Sequence, residues 1–256
     1  MSIFLMYNTG NSGGSWMGDV ISSHPKCTAM EEPRRKLELP KVGPDFTMQQ
    51  LQSTLFNVLK AHERPNESFG FIKGFREEIL EYVLDKDGMV LQQTRHPIRV
   101  LHGTRKRTIK AKRYWGRKPA NGVEQFQGHV RHMAKRYQAF IDRSDRFRLI
   151  RLEDLTASLC GSKQYFAYVL ELITQVEWTR EDIERAAQVR PRHRLNAPAD
   201  RLWDFDYEEN PGLTWDERKD PPVAAIWEHW EKWQREEFFE QFGGICRELR
   251  YKIPEG

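Results

Sequence analysis

The sequence predicts an α/β fold in which helices cover both faces of a central parallel sheet. Short apolar segments alternate along the chain with longer segments of helical periodicity, which is the order that a parallel sheet with helical connections requires. The first segment, Ile3 to Tyr7, is apolar throughout, as expected of a strand buried on both faces. A length of 256 residues allows one large domain or two small ones, and we expect one domain over residues 1–256.

The individual elements follow from the same patterns. The strand from Ile3 to Tyr7 leads through a Gly/Ser-rich turn into a helix from Trp16 to Ser23, which His24-Pro25 ends. Periodicity then predicts helices over 46–61, 76–84, 123–142, 162–174, 181–189 and 222–242, and strands over 69–72, 89–95 and 147–152. Residues 33–44 and 190–221 follow neither pattern, and the second stretch is either an ordinary connection or a lid over a ligand.

The charge of the chain is nearly balanced, with 41 basic against 37 acidic residues and a net charge of +4. This balance suits a small anionic ligand and does not require nucleic acid. The strongest basic run, Arg105 to Arg113, is a solvated helix face, a patch that attracts an anionic ligand, or a nucleic-acid contact. No recognised nucleic-acid-binding motif accompanies it, so we expect no nucleic-acid partner. The oligomeric state is left open.

The cysteines, histidines and apolar runs predict a cytoplasmic protein without a metal or a membrane span. Cys27, Cys160 and Cys246 have no metal-ligand spacing, and an odd, sparse set favours a reducing compartment. His129 and His132 stand three apart on a predicted helix, but no cysteine or carboxylate at ligand spacing joins them. No apolar run approaches the roughly 18 residues that a membrane helix needs.

The turn after the first strand has the composition of a phosphate-binding loop. Successive backbone N–H groups in such a turn form a concave anion site, and the N-terminus of the following helix adds partial positive charge. Gly10, Gly13 and Gly14 allow the backbone to approach a phosphate closely, and Ser12 and Ser15 offer hydroxyl donors. The loop is similar in shape to a Walker A loop but lacks its closing Gly-Lys-Ser/Thr.

Four segments in order resemble the landmarks of the sulfotransferase family. Asn11 to Met17, followed by Ser22 to Pro25, is similar to the 5′-phosphosulfate loop of that family and the His-Pro that ends its helix. Val90 to Pro97 stands where the family has a strand leading into Arg-Asp-Pro. Arg151 to Leu155 resembles the family's Arg-Tyr-Glu-Asp-Leu, and Phe242 to Tyr251 resembles its last helix. The likeness spans nearly the whole chain.

The resemblance implies a three-layer P-loop-like fold and 3′-phosphoadenosine-5′-phosphosulfate as the co-substrate, with no metal. It implies that the loop holds the 5′-phosphosulfate and that Arg95 holds the 3′-phosphate. The donor-binding residues implied in this way are Asn11, Ser12, Gly13, Gly14, Ser15, Trp16, Arg95 and Gly103.

The resemblance also implies three catalytic positions. Glu32 ends a Glu-Glu pair that stands where the tyrosine-sulfating branch of the family has its base, so it is the candidate to deprotonate an acceptor hydroxyl. Lys73 follows a predicted strand and is the candidate cation for the moving sulfuryl group. Asn11 stands where the family has a lysine or arginine that stabilises the leaving phosphate.

Two departures from the family pattern keep other functions open. Asn11 donates a hydrogen bond but brings no charge, and Gly103 replaces the family's serine. A replacement cation is left open among Arg99, Arg105 and Arg192. The expected function is therefore transfer of a sulfuryl group to an acceptor hydroxyl on a small molecule, carbohydrate or peptide. The alternatives are a non-catalytic nucleotide-binding protein of the same fold and a P-loop kinase-like phosphotransferase.

Overall fold

The computed structural model describes residues 2–9, 13–31, 67–72, 77–102, 122–189 and 222–255. Its five strands are β1 (Ser2–Asn8), β2 (Cys27–Glu31), β3 (Ser68–Ile72), β4 (Met89–Thr94) and β5 (Arg148–Arg151). They form one sheet in the order β2-β3-β1-β4-β5, and all neighbouring strands run parallel. The predicted α/β fold with a central parallel sheet is confirmed.

The helices are α1 (Gly14–Ser22), α2 (Glu77–Asp85), α3 (Gly122–Ile141), α4 (Leu152–Cys160), α5 (Gln164–Thr174), α6 (Arg180–Ala187), α7 (Val223–His229) and α8 (Lys232–Glu248). Residues 97–102 are also helical. One predicted helix differs from these bounds, and another lies outside the described residues. The helix expected over 222–242 is two helices, because the backbone at Trp230 is extended, and the second helix continues to Glu248. The helix predicted over 46–61 lies outside the described residues.

The sequence patterns missed the helical residues 97–102 and two further elements, β2 and α4. Strand β2 occupies the edge of the sheet and mixes polar with apolar residues, so it has no continuous apolar run. Helix α4 begins directly after β5, with no turn residue to separate the two elements. The first residues of α4, Leu152 to Leu155, belong to a segment that resembles a sulfotransferase landmark, but that resemblance did not predict a helix there.

One face of the sheet packs against α1, α4 and α5, and α6 packs on α1 and belongs to the same buried cluster. Phe4 and Met6 of β1 belong to one buried cluster with Leu91 of β4, Ile150 of β5 and Met17 of α1. Because side chains alternate along a strand, this face of β1 carries Phe4, Met6 and the strand's last residue, Asn8. The helix α1 therefore lies over the same face that receives the Asn8 side chain.

The opposite face of the sheet is covered by α2. This helix contacts β1 and β4, and its buried residues Leu80 and Val83 do not belong to the cluster on the first face. With helices on both faces of the sheet, the described strands and helices form the three layers that the sequence predicted.

The described residues fall into two compact units. The first contains all five strands with α1, α2, α4, α5 and α6, and the second contains residues 97–102 with α3, α7 and α8. In the second unit, Tyr137 of α3 meets Phe242 of α8 edge to face, and Phe242 stacks on Phe238 of its own helix at 4.9 Å between ring centroids. The single domain expected over residues 1–256 stays a prediction.

Candidate functional site

The carboxyl ends of β1 and β4 lie side by side at the centre of the sheet. Asn8 pairs with Gln93 in the parallel register. From β1 the chain continues to β2 at one edge of the sheet, whereas from β4 it continues to β5 at the other edge. Neighbouring strands whose connections diverge in this way open a crevice at their carboxyl ends, which is where open α/β sheets bind ligands.

The helix α1 starts above this crevice with a glycine in a left-handed conformation. Gly13 is the N-cap of α1 and has φ 79°, a value that favours glycine. A Cβ atom at Gly13 would also lie 3.1 Å from two methyl carbons of Leu152, the first residue of α4. The backbone of the loop therefore packs closely against the junction of β5 and α4, and both constraints favour glycine at this position.

The first turn of α1 offers backbone donors and no competing negative charge. The N-cap glycine has no side chain to cover the N–H groups, and no acidic residue lies in the first turn. The first N–H groups of a helix have no partner within the helix, and the helix dipole places partial positive charge there. This arrangement is suited to binding an anion such as a phosphate group.

The helix α1 is held at both ends by α5, α6 and the residues after α6. The indole N–H of Trp16 donates to the carbonyl of Val189 at 2.9 Å, and the Trp16 ring stacks on Phe166 of α5. After the last turn, the His24 ring lies 3.5 Å from a carboxylate oxygen of Asp182 in α6. These contacts fix the direction in which the first turn of α1 points.

Two side-chain amides join the ends of β1 and β4 on the face that α1 covers. Asn8 Nδ2 donates to Gln93 Oε1 at 2.7 Å. The Asn8 Oδ1 atom is buried and has no hydrogen-bond partner among the described residues. Sequence reasoning missed both residues, although a polar residue at the end of an otherwise apolar strand, directly before a Gly/Ser-rich turn, was a visible signal.

Arg95 follows β4 directly in the chain and belongs to the second unit, where its backbone is fixed. The Tyr137 hydroxyl donates to the Arg95 carbonyl. The next residue, His96, lies between a backbone N–H and a carbonyl: its Nδ1 is 3.3 Å from the N–H of Ile98 and its Nε2 is 2.9 Å from the carbonyl of Lys252. Burial lowers the pKa of His96 to about 4, so the ring is neutral at pH 7 and its Nε2–H donates.

The structure describes some of the predicted site residues, and the others lie outside the described part of the chain. Gly13, Gly14, Ser15 and Trp16 form the N-cap and first turn of α1, and Arg95 is half-buried after β4. The predicted residues that lie outside the described part of the chain are Asn11, Ser12, Glu32, Lys73 and Gly103.

The described residues contain no group of three or more His, Cys, Asp or Glu side chains that could hold a metal ion. Within the same ranges, no helix combines the length and the apolar character required to cross a bilayer. The three cysteines are free thiols, and Cys27 and Cys246 are buried.

Two solved structures resemble this architecture. A mouse sulfotransferase, SULT7A1, complexed with PAP has a TM-score of 0.58 and 15% identity, over 96% of this chain and 84% of that one. A sulfotransferase domain from the curacin biosynthetic pathway has a TM-score of 0.57 and 12% identity, over 99% of this chain and 98% of that one. The chain has the sulfotransferase fold. No family model and no curated protein matches its sequence.

The sulfotransferase fold agrees with the order of the four landmarks in the sequence. At sequence identities of 12% and 15%, the structural similarity shows a shared fold. It does not show that this chain has the same substrate or that its residues have the same roles. The reaction must therefore be argued from this chain's own site.

Proposed function

We propose that the protein is a sulfotransferase that moves a sulfuryl group from 3′-phosphoadenosine-5′-phosphosulfate to an acceptor hydroxyl. The observation that carries this proposal is the start of α1. A left-handed glycine opens an uncapped helix above the crevice between β1 and β4, within a sulfotransferase fold. The PAP complex of the mouse sulfotransferase supports a nucleotide of this type as the ligand.

In the proposed donor site, backbone N–H groups and hydroxyls of Ser12 to Ser15 hold the 5′-phosphosulfate, and Trp16 keeps the first turn of α1 in place. Arg95 holds the 3′-phosphate as a charge-assisted contact. Gly103 lies where the family places a hydroxyl toward the same nucleotide, so its contribution is limited to backbone groups. The anchored backbone of Arg95 supports this role, because a fixed main chain reduces the entropy lost when the side chain binds.

The proposed reaction is an in-line transfer of the sulfuryl group. The acceptor oxygen forms a bond to sulfur, the bond between sulfur and the bridging oxygen of the 5′-phosphate breaks, and adenosine 3′,5′-bisphosphate leaves. Glu32 takes the proton of the acceptor hydroxyl, and Lys73 stabilises the charge on the sulfuryl group. Asn11 donates a hydrogen bond to the leaving phosphate, which is weaker than the contact of a lysine.

The proposal is tested first by ligand binding. Adenosine 3′,5′-bisphosphate should raise the melting temperature of the protein, and Arg95→Ala should abolish that shift. Arg136→Ala, which removes an exposed arginine of α3, is the matched control and should preserve the shift. If 5′-AMP raises the melting temperature as much as the bisphosphate, Arg95 does not bind the 3′-phosphate.

Turnover is tested with labelled donor and a panel of small-molecule, carbohydrate and peptide hydroxyls, followed by mass spectrometry. Glu32→Gln should lower turnover much more than it weakens donor binding, because the base acts only on the acceptor. Binding of the bisphosphate without turnover on any acceptor would favour the second candidate, a non-catalytic nucleotide-binding protein. This second candidate is supported by Asn11, which stands where the sulfotransferase family has a positively charged lysine or arginine in the loop.

The cytoplasm is the proposed location. Burial raises the pKa of the Cys27 thiol to about 12, and of the Cys246 thiol to about 12. Both thiols are therefore protonated and unreactive at neutral pH, as expected of structural cysteines in a reducing compartment.

A further inference from the structure

We propose that His96 is a positioning residue for nucleotide binding, which connects Arg95 to the segment that follows α8. This inference rests on the function proposed above, in which Arg95 holds the 3′-phosphate. It is carried by three observations: the cap that His96 provides to residues 97–102, its hydrogen bond to Lys252, and the turn that fixes Lys252 after α8. In this role His96 acts through Arg95 and not on the ligand.

His96 is the N-cap of the helical residues 97–102. Its carbonyl accepts the N–H of Val100 at 3.1 Å, which is the first hydrogen bond of the helical turn. Its Nδ1 accepts the N–H of Ile98 at 3.3 Å, one of the first donors of a helix that have no partner within the helix. The side chain and the backbone of His96 are therefore both fixed, directly after Arg95 in the chain.

The second ring nitrogen of His96 connects the residue to the segment after α8. Nε2 lies 2.9 Å from the carbonyl of Lys252, and the ring meets Tyr251 edge to face with 5.1 Å between the centroids. Because Nδ1 accepts the Ile98 N–H, the neutral ring carries its proton on Nε2 and donates it to the Lys252 carbonyl. Burial lowers the pKa of His96 to about 4, so the ring stays neutral at pH 7.

Histidine makes two contacts at a place where the sulfotransferase landmark has an aspartate. This chain has Arg95-His96-Pro97 in place of Arg-Asp-Pro. An aspartate carboxylate could accept the Ile98 N–H, but it has no proton to donate to a carbonyl. The connection to Lys252 therefore depends on the histidine of this chain.

The backbone that carries the acceptor carbonyl is held by the end of α8. Arg250 follows this helix in a left-handed conformation with φ 56°. The N–H of Tyr251 then donates to the carbonyl of Cys246 at 2.7 Å, the bond that closes a helix end of the Schellman type. The Tyr251 side chain is buried. The next residue, Lys252, therefore presents its carbonyl from a fixed backbone.

The backbone around Arg95 is thus held from two sides within the second unit. The Tyr137 hydroxyl of α3 donates to the Arg95 carbonyl, and His96 joins the next residue position to the segment after α8. A side chain on a fixed backbone loses less conformational entropy when it binds, and a charge-assisted contact to phosphate depends on the direction of the guanidinium group. Loosening His96 should therefore weaken binding of the 3′-phosphate more than binding of the rest of the nucleotide.

The test measures the 3′-phosphate preference, defined as the Kd of 5′-AMP divided by the Kd of adenosine 3′,5′-bisphosphate, by calorimetry on the full-length protein. His96→Asn places an acceptor near the position of Nδ1 but is too short to reach the Lys252 carbonyl. It should lower the preference about fivefold or more. His96→Gln places an N–H₂ donor near the position of Nε2 and should keep the preference within about twofold of wild type.

The matched control is a second His-Pro pair, His24-Pro25. His24 is also buried, and its Nδ1 accepts the N–H of Lys26, two residues ahead, at 3.2 Å. It lies after α1 in the first unit, whereas Arg95 belongs to the second. His24→Asn should lower the melting temperature, and any loss of affinity should be equal for the two nucleotides, so the preference should stay within about twofold of wild type.

The outcomes separate this inference from the proposed function. If the wild-type protein binds neither nucleotide, the proposed function fails and the inference fails with it. If the wild type prefers the bisphosphate and His96→Asn keeps that preference, the inference alone is overturned. An equal loss in His96→Gln would assign the effect to the ring and not to the Lys252 contact, which also overturns it. If circular dichroism shows that His96→Asn does not fold, Tyr251→Leu loosens the same contact from its other side and should show the same loss.

Discussion

The helices α1 and α6 lie against each other in the first unit, and they begin in opposite ways. The start of α6 is closed by its own side chains: Thr179 accepts a hydrogen bond from the Asp182 N–H, and the Asp182 carboxylate accepts one from the Thr179 N–H. The start of α1 has a left-handed glycine and no acidic residue in its first turn. A helix that only needs stability satisfies its first N–H groups internally. The start of α1 has no side-chain cap, and it suits an anion because the helix dipole places partial positive charge there.

The largest expected effect comes from adding a side chain at the start of α1. Gly13→Ala forces alanine into a left-handed backbone and brings its Cβ to 3.1 Å from the Leu152 methyl groups. We expect a loss of about 2 kcal/mol in the free energy of unfolding, and loss of the melting-temperature shift by the bisphosphate.

The control for this variant is Gly128→Ala in α3, where a Cβ would meet nothing within 4 Å. Because alanine is the better helix former, this change should stabilise the protein by up to about 1 kcal/mol. If Gly13→Ala retains both its stability and its response to the bisphosphate, the open start of α1 has no special role.

A smaller effect is expected in the first turn of α1. Trp16→Phe keeps an aromatic ring against Phe166 but removes the hydrogen bond to the Val189 carbonyl. We expect a loss of about 1.5 kcal/mol in chemical unfolding, because the carbonyl is left unpaired. Binding of the bisphosphate should weaken as well, because the direction of the first turn is less fixed. Tyr168→Phe on the exposed side of α5 is the control, and a similar loss there would contradict the role of Trp16.

At the closed start of α6, Thr179→Ala should cost about 1 kcal/mol of stability, the usual value of an N-cap side chain. Thr179→Ser retains the hydroxyl and should restore most of the loss. Neither variant should change the Kd for the bisphosphate. A change in that Kd would show that the two helix starts are not functionally distinct.

The smallest effect is the pH dependence of the α6 cap. The hydrogen bond from the Thr179 side chain is the main cause that lowers the pKa of Asp182 below its ordinary 3.8. A carboxylate with a lower pKa in the folded state stabilises the protein above the unfolded pKa and loses this contribution as the pH falls through the folded value. Urea unfolding between pH 5 and 3 should therefore show a shallower loss of stability in Thr179→Ala than in wild type, and parallel curves would refute the assignment.

Several parts of the fold could be predicted from sequence because their signals are local. The strand before the Gly/Ser-rich turn, the helix after it and the long helix α3 all have an uninterrupted pattern of one period. The break at Trp230 carried no such signal, since its aromatic neighbours keep helical spacing on both sides. The edge strand β2 was missed because its position in the sheet depends on pairing with β3. In that pairing Cys27 lies opposite Ser68, which is 41 residues later in the chain.

Some residues of the candidate site could likewise be predicted from sequence, and others could not. The glycine and serine residues of the loop were predictable from composition, and the structure shows the specific reason for one of them: Gly13 has a positive φ and packs against Leu152. The contact between Asn8 and Gln93 was not predicted, because the two residues lie in different strands, 85 positions apart. The roles of Glu32 and Lys73 stay predictions, to be tested by turnover.

By itself the sequence determined the class of fold and the place of the Gly/Ser-rich turn between β1 and α1, because hydrophobic periodicity and turn chemistry act between near neighbours in the chain. Only the tertiary structure decided which strand ends meet, that β1 and β4 form the crevice, and that Asn8 and Gln93 face each other across it. Strand order in a parallel sheet is set by the burial of whole faces against distant helices, and no local pattern encodes that free energy.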